Sequence, residues 1–258
     1  MTQNAVTRFA PSPTGRLHLG HAWSAMLSHD LARASAGRFL LRIEDIDVGR
    51  CRTEFVEGIL EDLRWLGLDW DGDILFQSQR MAIYADALAQ LDGMGVIYRC
   101  WCTRAEIAAT SASAPQEQAG APYPGTCKGR ADPGDGRGYC WRLDFGGVDP
   151  VIARKDIPTS YHLSVVVDDA AQGVTDVVRG RDLEGAVPVQ NRLQQLLSLP
   201  TPRYHHHALI GDATGGRLAK RKNAPTVAAM REGGVDPEKL LNDMRAGRFP
   251  VGFSLIEA

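Results

Sequence analysis

Two short stretches of the chain combine residue types that can do chemistry on a phosphate. The first is HLGH, in which His18 and His21 flank Gly20 at the expected start of a helix. A helix N-terminus carries unpaired N–H groups and a partial positive charge, and both suit a phosphate. The second is GGRLAKRKNAP, which gathers basic side chains around Lys220 on a glycine-containing loop. Such a loop can close over a polyphosphate and stabilise departing pyrophosphate.

Each stretch alone has other interpretations. His18 and His21 could bind a metal, although zinc-binding histidine pairs on helices are usually four residues apart with an acid nearby. They could also simply lie at the solvent-facing start of a helix. The basic loop could be an ordinary surface loop. The two stretches therefore indicate a nucleotide site only when they are taken together.

Length, charge and cysteine content limit the possible functions. The chain has 258 residues, enough for one large α/β domain or one domain with an insertion. Its formal net charge of −2 means that a nucleic-acid partner would need a local basic patch. The N-terminal MTQNAVTRF lacks the pattern of a signal peptide, and no stretch approaches the roughly 20 apolar residues of a membrane span. We expect a cytoplasmic protein whose five cysteines are thiols or metal ligands.

Apolar periodicity predicts alternating strands and helices in the first hundred residues. Expected strands cover 7–10, 38–47 and 96–102. Expected helices cover 18–36, stopped by Gly37, and 55–67, stopped by Gly67. A third helix would be capped by Ser78 and end at Gly95. This alternation predicts parallel βαβ units.

The pattern lapses between residues 103 and 149, where the chain is rich in Ala, Ser, Gly and Pro. This part is expected to be a flexible insertion, or a small module that needs a cross-link to be stable. Beyond it, VVVDD at 165–169 predicts a buried strand, 187–199 a helix and HHHALIG at 205–211 a strand. The histidines at 205–207 are expected to be structural or exposed at an edge, and short helices are expected near the end of the chain.

The ordered motifs resemble a known family. RFAPSPTGRLHLGH and the late RLAKR resemble the two signatures of class I aminoacyl-tRNA synthetases. GRFLLRIEDID, DLRWLGLDWDGD, YRCWCTR and VVVDDAAQGVTDVVRGRDL extend the similarity to the glutamyl branch over nearly the whole chain. The resemblance implies an α/β, Rossmann-like nucleotide-binding domain with an inserted zinc-binding module and a short helical C-terminal tail. Its expected segments are 1–98 and 151–222 for the two halves of the catalytic domain, 99–150 for the zinc-stapled insertion and 223–258 for the tail, without an anticodon-binding domain.

The resemblance also implies substrates and roles. Glutamate would be activated by ATP, with magnesium expected to accompany the ATP. No protein nucleophile is needed. His18, His21 and Lys220 would be catalytic, and with Gly20 they would bind ATP. The positions that match glutamate contacts are Arg8, Ala10, Ser12, Glu44, Tyr161 and Arg179. Arg8 would hold a carboxylate and Glu44 the α-ammonium.

The short segment after the lysine loop resembles glutamyl-Q tRNA(Asp) synthetases, a family of short paralogues. Members activate glutamate without tRNA and transfer it to the queuosine base at the wobble position of tRNA(Asp). The expected partners are glutamate, ATP and the tRNA(Asp) anticodon loop, with no membrane, and the protein is expected to be a monomer. The alternatives are a truncated glutamyl-tRNA synthetase that charges a tRNA 3′ end, a non-catalytic tRNA- or nucleotide-binding module, and an unrelated nucleotidyltransferase.

The same resemblance implies a zinc site. CWC followed by YPGTC matches the ligand set Cys100, Cys102, Tyr123 and Cys127. Tyrosine is an unusual fourth ligand, and Cys140 is close enough in sequence to compete for that place. Reduced structural cysteines are the alternative. The lysine loop departs from the family pattern at Leu218, Ala219 and Arg221, but it keeps Lys220.

Overall fold

The computed structural model describes residues 4–111, 123–212 and 225–256 of the chain. In chain order its helices are α1 (Leu19–Ala34), α2 (Thr53–Trp65), α3 (Met81–Gly93), α4 (Arg104–Ser111), α5 (Tyr161–Ala171), α6 (Val187–Leu196), α7 (Val227–Glu232) and α8 (Pro237–Arg245). Its strands are β1 (Val6–Phe9), β2 (Arg38–Ile43), β3 (Leu75–Phe76), β4 (Ile97–Cys100), β5 (Cys140–Leu143), β6 (Val151–Ala153), β7 (Asp176–Gly180), β8 (Arg203–His207), β9 (Leu209–Asp212) and β10 (Phe253–Ile256). Within these ranges, none of the helices combines the length and apolar character that a bilayer crossing requires.

The chain forms two compact units. Unit 1 consists of Met1–Gln79, Gly173–Val187 and Pro202–Ala258, and unit 2 of Arg80–Gln172 and Pro188–Thr201. Helix α3 and strand β4 therefore group with the insertion in unit 2, whereas α7 and α8 group with the first strands in unit 1.

Parallel strands form the framework of unit 1. β1 pairs with β2, with Val6 opposite Arg38 and Phe9 opposite Leu41, and β2 pairs with β3. The N–H of Thr175 donates to the carbonyl of Val6 at 2.9 Å, so β7 begins beside β1. β7 in turn pairs in parallel with β8. The parallel βαβ prediction is confirmed for this unit.

One apolar core joins the helices of unit 1 to the parallel strands. Strand β2 is buried along both faces, from Phe39 to Ile43, as expected for a strand covered by helices. The largest cluster contains buried side chains from α1, α2, α7 and α8, among them Leu19, Met26, Ile59, Leu63, Met230, Leu241 and Met244. Residues far apart in the sequence thus share one core, which holds the strand ends and the start of α1 in place.

Unit 2 contains an antiparallel sheet, β4–β5–β6. Cys100 on β4 lies opposite Cys140 on β5, and Arg99 lies opposite Trp141. Strand β5 falls in the part of the chain where the sequence predicts no regular element. Helix α5 is held by its fully buried Asp168, which accepts hydrogen bonds from Tyr84 Oη at 2.8 Å and Arg80 Nε at 2.7 Å.

The predicted strand at 165–169 is wrong. These residues lie in α5, in which every residue from Leu163 to Asp169 is buried. A helix buried on all sides produces the same unbroken apolar run as a buried strand, and periodicity cannot separate the two.

Three smaller predictions are also corrected. Ser78 does not cap a helix, because α3 begins at Met81 and the Ser78 hydroxyl donates to Asp45 at 2.6 Å. After α1 the left-handed residue is Ala36, with φ 51°, rather than Gly37. Gly37 is required for another reason: a Cβ there would collide with the carbonyl oxygen of Ala5. The single strand predicted at 205–211 is two strands, β8 and β9, in different sheets.

A buried carboxylate fastens β7 to β8. Asp176 is 2% exposed and accepts hydrogen bonds from Arg203 Nε at 2.9 Å, Arg203 Nη2 at 2.8 Å and Thr175 Oγ1 at 2.8 Å. His205 Nε2 lies 2.7 Å from the same carboxylate. Burial alone would raise the pKa of Asp176, but the hydrogen bonds from Arg203, His205 and Thr175 outweigh it and lower the pKa to about 2.

We expect Asp176→Asn to lower the free energy of unfolding by about 2 kcal/mol at pH 7. Because the folded-state pKa lies below the unfolded value, this contribution is complete above about pH 4 and is lost as the pH falls toward 2. Urea denaturation at pH 7 and near pH 2.5 measures it. Asp243→Asn, which removes a carboxylate bound to Lys239 and Arg248 on the surface, is the control with a small effect. An equal loss at both pH values would contradict the assignment.

Candidate functional site

The first turn of α1 brings His18 and His21 into contact. His18 is the N-cap residue, and its Nδ1 accepts the N–H of Gly20 at 3.1 Å. His21 Nδ1 accepts the N–H of His18 at 3.1 Å, and the ring centroids are 3.8 Å apart. A ring nitrogen that accepts a backbone N–H carries no proton, so the neutral rings are protonated at Nε2. The two histidines therefore accept backbone N–H groups of the helix start and offer their own Nε2–H donors in place of them.

The metal interpretation of this pair is not supported by its geometry. Both Nδ1 atoms are already acceptors for backbone N–H groups. Across 4–111, 123–212 and 225–256, the side chains grouped closely enough to hold a metal are Cys100, Cys102 and Cys127, in unit 2.

A cleft of about 250 Å³ opens in unit 1 beside the two histidines. Its walls come from the first turns of α1, the turn after β7 and the junction of β8 with β9. The lining residues are His18, Gly20, His21, Trp23, Ser24, Gly180, Asp182, Leu183, His207, Leu209 and Ile210. Apolar side chains, N–H donors and one carboxylate in a single concave surface suit a ligand with a flat apolar part and a polar, anionic part.

Gly180 keeps one wall of this cleft open. A Cβ at this position would collide with the carboxylate of Asp182 and would lie 2.7 Å from Leu209 Cδ2. The 3-10 helix Arg181–Ala186 begins directly after it, so the turn from β7 brings Asp182 to the cleft. Glycine is required here because the turn passes close to its neighbours, not because of an unusual backbone angle.

Trp23 and His207 lie together in another wall, with ring centroids 6.3 Å apart in an edge-to-face arrangement. His207 Nδ1 lies 2.9 Å from the carbonyl oxygen of Ala208, which places its proton on Nδ1. Burial lowers the pKa of His207, so the ring is neutral at pH 7. Among the described residues, the buried Trp23 Nε1 and His207 Nε2 atoms find no hydrogen-bond partner. Buried polar atoms usually have a hydrogen-bond partner, and a ligand in the cleft can supply one to these two atoms.

The residues expected to contact glutamate follow the parallel strands. Arg8 is on β1 and is 5% exposed, Ala10 follows the strand directly, and Ser12 is exposed in the next loop. Glu44 follows β2; its N–H donates to the Pro11 carbonyl at 3.0 Å and its carboxylate lies 3.4 Å from the buried Arg42. Because β1 and β2 run parallel and in register, their carboxyl ends lie at one edge, where ligands of open α/β sheets bind.

Arg179 lies near the carboxyl end of β7, the strand that begins beside β1. It is 4% exposed, its guanidinium lies 4.9 Å from the Tyr204 ring centroid, and its Nε is 3.4 Å from His206 Nε2. Burial and, after it, the neighbouring positive charge of Arg179 lower the pKa of His206. Tyr161, the remaining expected contact, is the first residue of α5 in unit 2.

Lys220, together with Leu218, Ala219 and Arg221, lies outside the described residues. The chain on either side of that loop is nonetheless described. Before it, β9 contributes Leu209 and Ile210 to the cleft. After it, Thr226 forms a β-bridge with His18, and the N–H of Val227 donates to the Leu17 carbonyl at 2.9 Å. The lysine loop thus leaves from the cleft wall and returns to the first turn of α1.

In unit 2, three cysteines and a tyrosine converge. The sulfur atoms of Cys100, Cys102 and Cys127 lie within 4.8 Å of one another. Tyr123 Oη lies 3.2 Å from Cys100 Sγ and 3.7 Å from Cys102 Sγ, and it accepts the N–H of Cys127 at 2.9 Å. The sequence-predicted ligand set is therefore brought together. Cys140 lies across the strand pair from Cys100, outside the three-sulfur group.

The surroundings of the cluster favour a thiolate at Cys100. Hydrogen bonding by the Cys140 thiol lowers the pKa of Cys100, and Tyr123 and Arg142 act in the same direction against the opposing effect of burial. The Arg142 guanidinium also lies 3.7 Å from the Tyr123 ring centroid. A buried, partly ionised group of sulfur atoms is the donor set that zinc prefers.

Comparison with known proteins identifies the family. The model of the catalytic domain of class I tRNA synthetases (E and Q) matches residues 4–128 and 143–252. A glutamyl-Q tRNA(Asp) synthetase from Rhodobacter capsulatus is 48% identical, over 90% of this chain and 96% of its own length. The chain belongs to the glutamyl-Q tRNA(Asp) synthetase family.

Other relatives agree with this family at greater distance. A glutamyl-Q tRNA(Asp) synthetase from Nitratidesulfovibrio vulgaris is 42% identical over 94% of this chain. A glutamate–tRNA ligase from Geobacter sulfurreducens is 38% identical, and the match covers 55% of that protein. The crystal structure of a glutamate-tRNA synthetase from Elizabethkingia anophelis aligns with a TM-score of 0.79 at 24% identity, over 93% of this chain and 61% of that one, and shows the shared class I fold.

The sequence analysis missed several residues that line the cleft. Gly180, Asp182, His207 and Leu209 reach it only through the pairing of β7, β8 and β9. The signal available was RGRD, in which Asp182 lies two residues after the end of β7, because strand ends supply binding residues in α/β folds. His207 was expected to be structural or exposed at an edge, and the structure places it in the cleft wall.

We expect Gly180→Ala to weaken binding of ATP, the nucleotide that class I synthetases use, by about tenfold or more, because the new methyl group displaces Asp182 or Leu209. Isothermal titration calorimetry with ATP measures the change. Gly185→Ala on the same 3-10 helix is the matched control, since nothing lies within 4 Å of its added Cβ. Equal affinities of the two variants would remove Gly180 from the nucleotide site.

Proposed function

We propose that the protein activates glutamate with ATP, without tRNA, and transfers the glutamyl group to the queuosine base at the wobble position of tRNA(Asp). The observation that carries this proposal is the 48% identity to a glutamyl-Q tRNA(Asp) synthetase across 96% of that protein's length. The cleft in unit 1 supports it, because His18, Gly20 and His21 line one concave surface, and Arg8 and Glu44 lie at the carboxyl ends of the parallel strands of the same unit.

The cleft beside α1 is the proposed ATP site. The Nε2–H groups of His18 and His21 donate to the phosphates at the positive end of α1, while Gly20 lets the nucleotide approach the helix. Asp182 is placed to accept hydrogen bonds from the ribose hydroxyls. Lys220 approaches the departing pyrophosphate from the loop whose flanking residues border this cleft. Magnesium would accompany the ATP phosphates.

Glutamate binds at the neighbouring strand ends in this proposal. The buried guanidinium groups of Arg8 and Arg179 attract the carboxylates, and the Glu44 carboxylate attracts the α-ammonium. Ala10 and Ser12, in the segment that follows β1, are further proposed contacts of glutamate. Tyr161, from α5, is the remaining proposed contact. Cations held in a buried position make stronger interactions than solvated ones and reject an uncharged side chain.

Activation then requires positioning and charge stabilisation rather than a protein nucleophile. An oxygen of the glutamate α-carboxylate attacks the α-phosphorus, the bond to the β-phosphate oxygen breaks, and pyrophosphate leaves with its electron pair. Donors from His18, His21 and Lys220 stabilise the negative charge that grows on the phosphate oxygens. In the second step a nucleophilic group of the queuosine base attacks the acyl carbon, loses its proton and displaces AMP.

We further propose that Cys100, Cys102, Tyr123 and Cys127 hold one structural zinc ion. Tetrahedral zinc with sulfur ligands sets them about 3.8 Å apart, and the observed Cys102–Cys127 separation of 3.4 Å needs only a small adjustment. The bound ion would tie the strand end of β4 to the segment around Cys127 and so stabilise unit 2.

The function is tested first by glutamate-dependent exchange of pyrophosphate into ATP in the absence of tRNA, and then by transfer of labelled glutamate to separate tRNA pools. We expect exchange, followed by label on queuosine in tRNA(Asp). Lys220→Ala should abolish exchange, while Lys239→Ala, which removes an exposed cation from α8, should not. Label on the 3′ end of tRNA(Glu), with none on queuosine, would favour the glutamate–tRNA ligase alternative, and absent exchange would favour a non-catalytic module.

The zinc site is tested by elemental analysis and thermal denaturation. We expect about one zinc per chain, and we expect Cys100→Ser to lower both the zinc content and the unfolding temperature of unit 2. Cys51→Ser, in unit 1, is the control that should leave zinc unchanged. Tyr123→Phe should weaken zinc retention against a chelator if the phenol is a ligand. Full zinc content in Cys100→Ser would refute the assignment.

A further inference from the structure

Unit 2 carries an open groove of about 600 Å³ that the proposed chemistry does not use. One side is formed by the segment before β5 and the other by the turn after β6. Two aromatic side chains, Tyr139 and Trp141, line it, together with Arg137, Arg154 and Lys155. The aromatic rings meet edge to face, with centroids 5.6 Å apart.

Arg99 completes the aromatic surface. Side chains alternate along β5, so the buried Cys140 faces the thiol cluster while Trp141 lies on the opposite face. Arg99 is the cross-strand partner of Trp141, and its guanidinium lies 4.8 Å from the Tyr139 centroid and 5.3 Å from the Trp141 centroid. The exposed guanidinium is therefore held against two rings rather than against an acid.

The charges of the groove divide into paired and unpaired cations. Arg137 Nε lies 2.6 Å from Asp135, and Arg154 Nη2 lies 3.0 Å from Asp156. In the part of the chain that the structure describes, Arg99 and Lys155 form no ion pair with a carboxylate. These two cations outnumber the one other carboxylate that lines the groove, Asp132, so an excess of positive charge remains, although the chain as a whole is slightly acidic.

We propose that this groove binds an unpaired nucleotide of the tRNA substrate, with its base stacked on Trp141 and Tyr139 and its phosphates contacted by Arg99 and Lys155. The inference rests on the proposed transfer to a tRNA and adds a binding surface to it. Aromatic rings and arginine planes are the partners on which splayed single-stranded bases stack. A base-paired nucleotide cannot use them, because its faces are covered by its neighbours in the duplex.

The test measures the affinity of the full chain for fluorescently labelled tRNA(Asp) by anisotropy across a series of salt concentrations. Loss of one stacked base costs about tenfold in affinity. We expect Trp141→Ala to raise Kd about tenfold with an unchanged salt dependence. Arg99→Ala should raise Kd by a similar factor and should also reduce the slope of log Kd against log salt by about 0.7, the value for one single-strand phosphate contact.

Matched variants separate the groove from general effects. Arg64→Ala removes another exposed arginine that lies 5.4 Å from a tryptophan ring, that of Trp70 in unit 1, and should leave Kd within about twofold. Trp141→Phe keeps a stacking face and should restore most of the affinity. If Trp141→Ala fails to fold, Arg99→Ala and Trp141→Phe decide the question, because neither removes a buried group.

Glutamate-dependent pyrophosphate exchange, measured on the same proteins, separates this proposal from the proposed function. It should be equal in all the groove variants, because activation takes place without tRNA. If Arg99→Ala and Trp141→Ala both bind tRNA(Asp) like the Arg64→Ala control, the groove is not an RNA surface. Absent exchange in the unsubstituted protein would instead overturn glutamate activation, while the tRNA affinities would still test the groove.

Discussion

The N–H groups at the start of α1 need hydrogen-bond partners from outside the regular helix, and this need is the constraint on which unit 1 depends. The reciprocal hydrogen bonds of His18 and His21 organise this helix end and turn both Nε2 atoms into donors. The same residue, His18, pairs with Thr226, so the chain that follows the lysine loop is fastened to the helix start. One turn of helix thus contains the helix cap, the proposed ligand-binding groups and the attachment point of the loop. A change that loosens the cap also alters the cleft and the point at which the chain returns from the loop.

The stability of unit 2 is limited by the size of its core. Its core around β4 and β5 is small, and Cys100, Trp101, Tyr123, Cys127 and Cys140 form its buried cluster. A cluster of this size gains little folding free energy from apolar burial. Coordination of a metal ion by the sulfur atoms can supply the stability that a larger core would give. The same strands carry Arg99 and Trp141 on the opposite face. A metal ion bound on one face of this sheet therefore also fixes the geometry of the groove on the other face. Metal binding and RNA recognition are physically linked in this proposal.

Local pattern was sufficient to predict much of the fold and the chemical groups of the site. The helices α1 and α2, the parallel strands and the converging cysteines follow from spacing alone or from family motifs. The errors arose where burial or long-range strand pairing determines the structure. α5 is buried on all sides and so has no polar face to reveal its helical period. Gly180, Asp182 and His207 meet only after β7 and β8 pair, and no local pattern encodes that meeting.

The division of unit 1 into three chain segments has a consequence for biosynthesis. Its core joins Leu19 and Met26 to Met230, Leu241 and Met244, so the first 79 residues cannot complete this core until the ribosome has made α8. Most of unit 2 is one continuous segment, Arg80–Gln172, whose sheet and thiol cluster form from neighbouring sequence. During synthesis, unit 2 can therefore acquire its structure first, while part of the apolar surface of α1 and β2 stays exposed until the last helices are made.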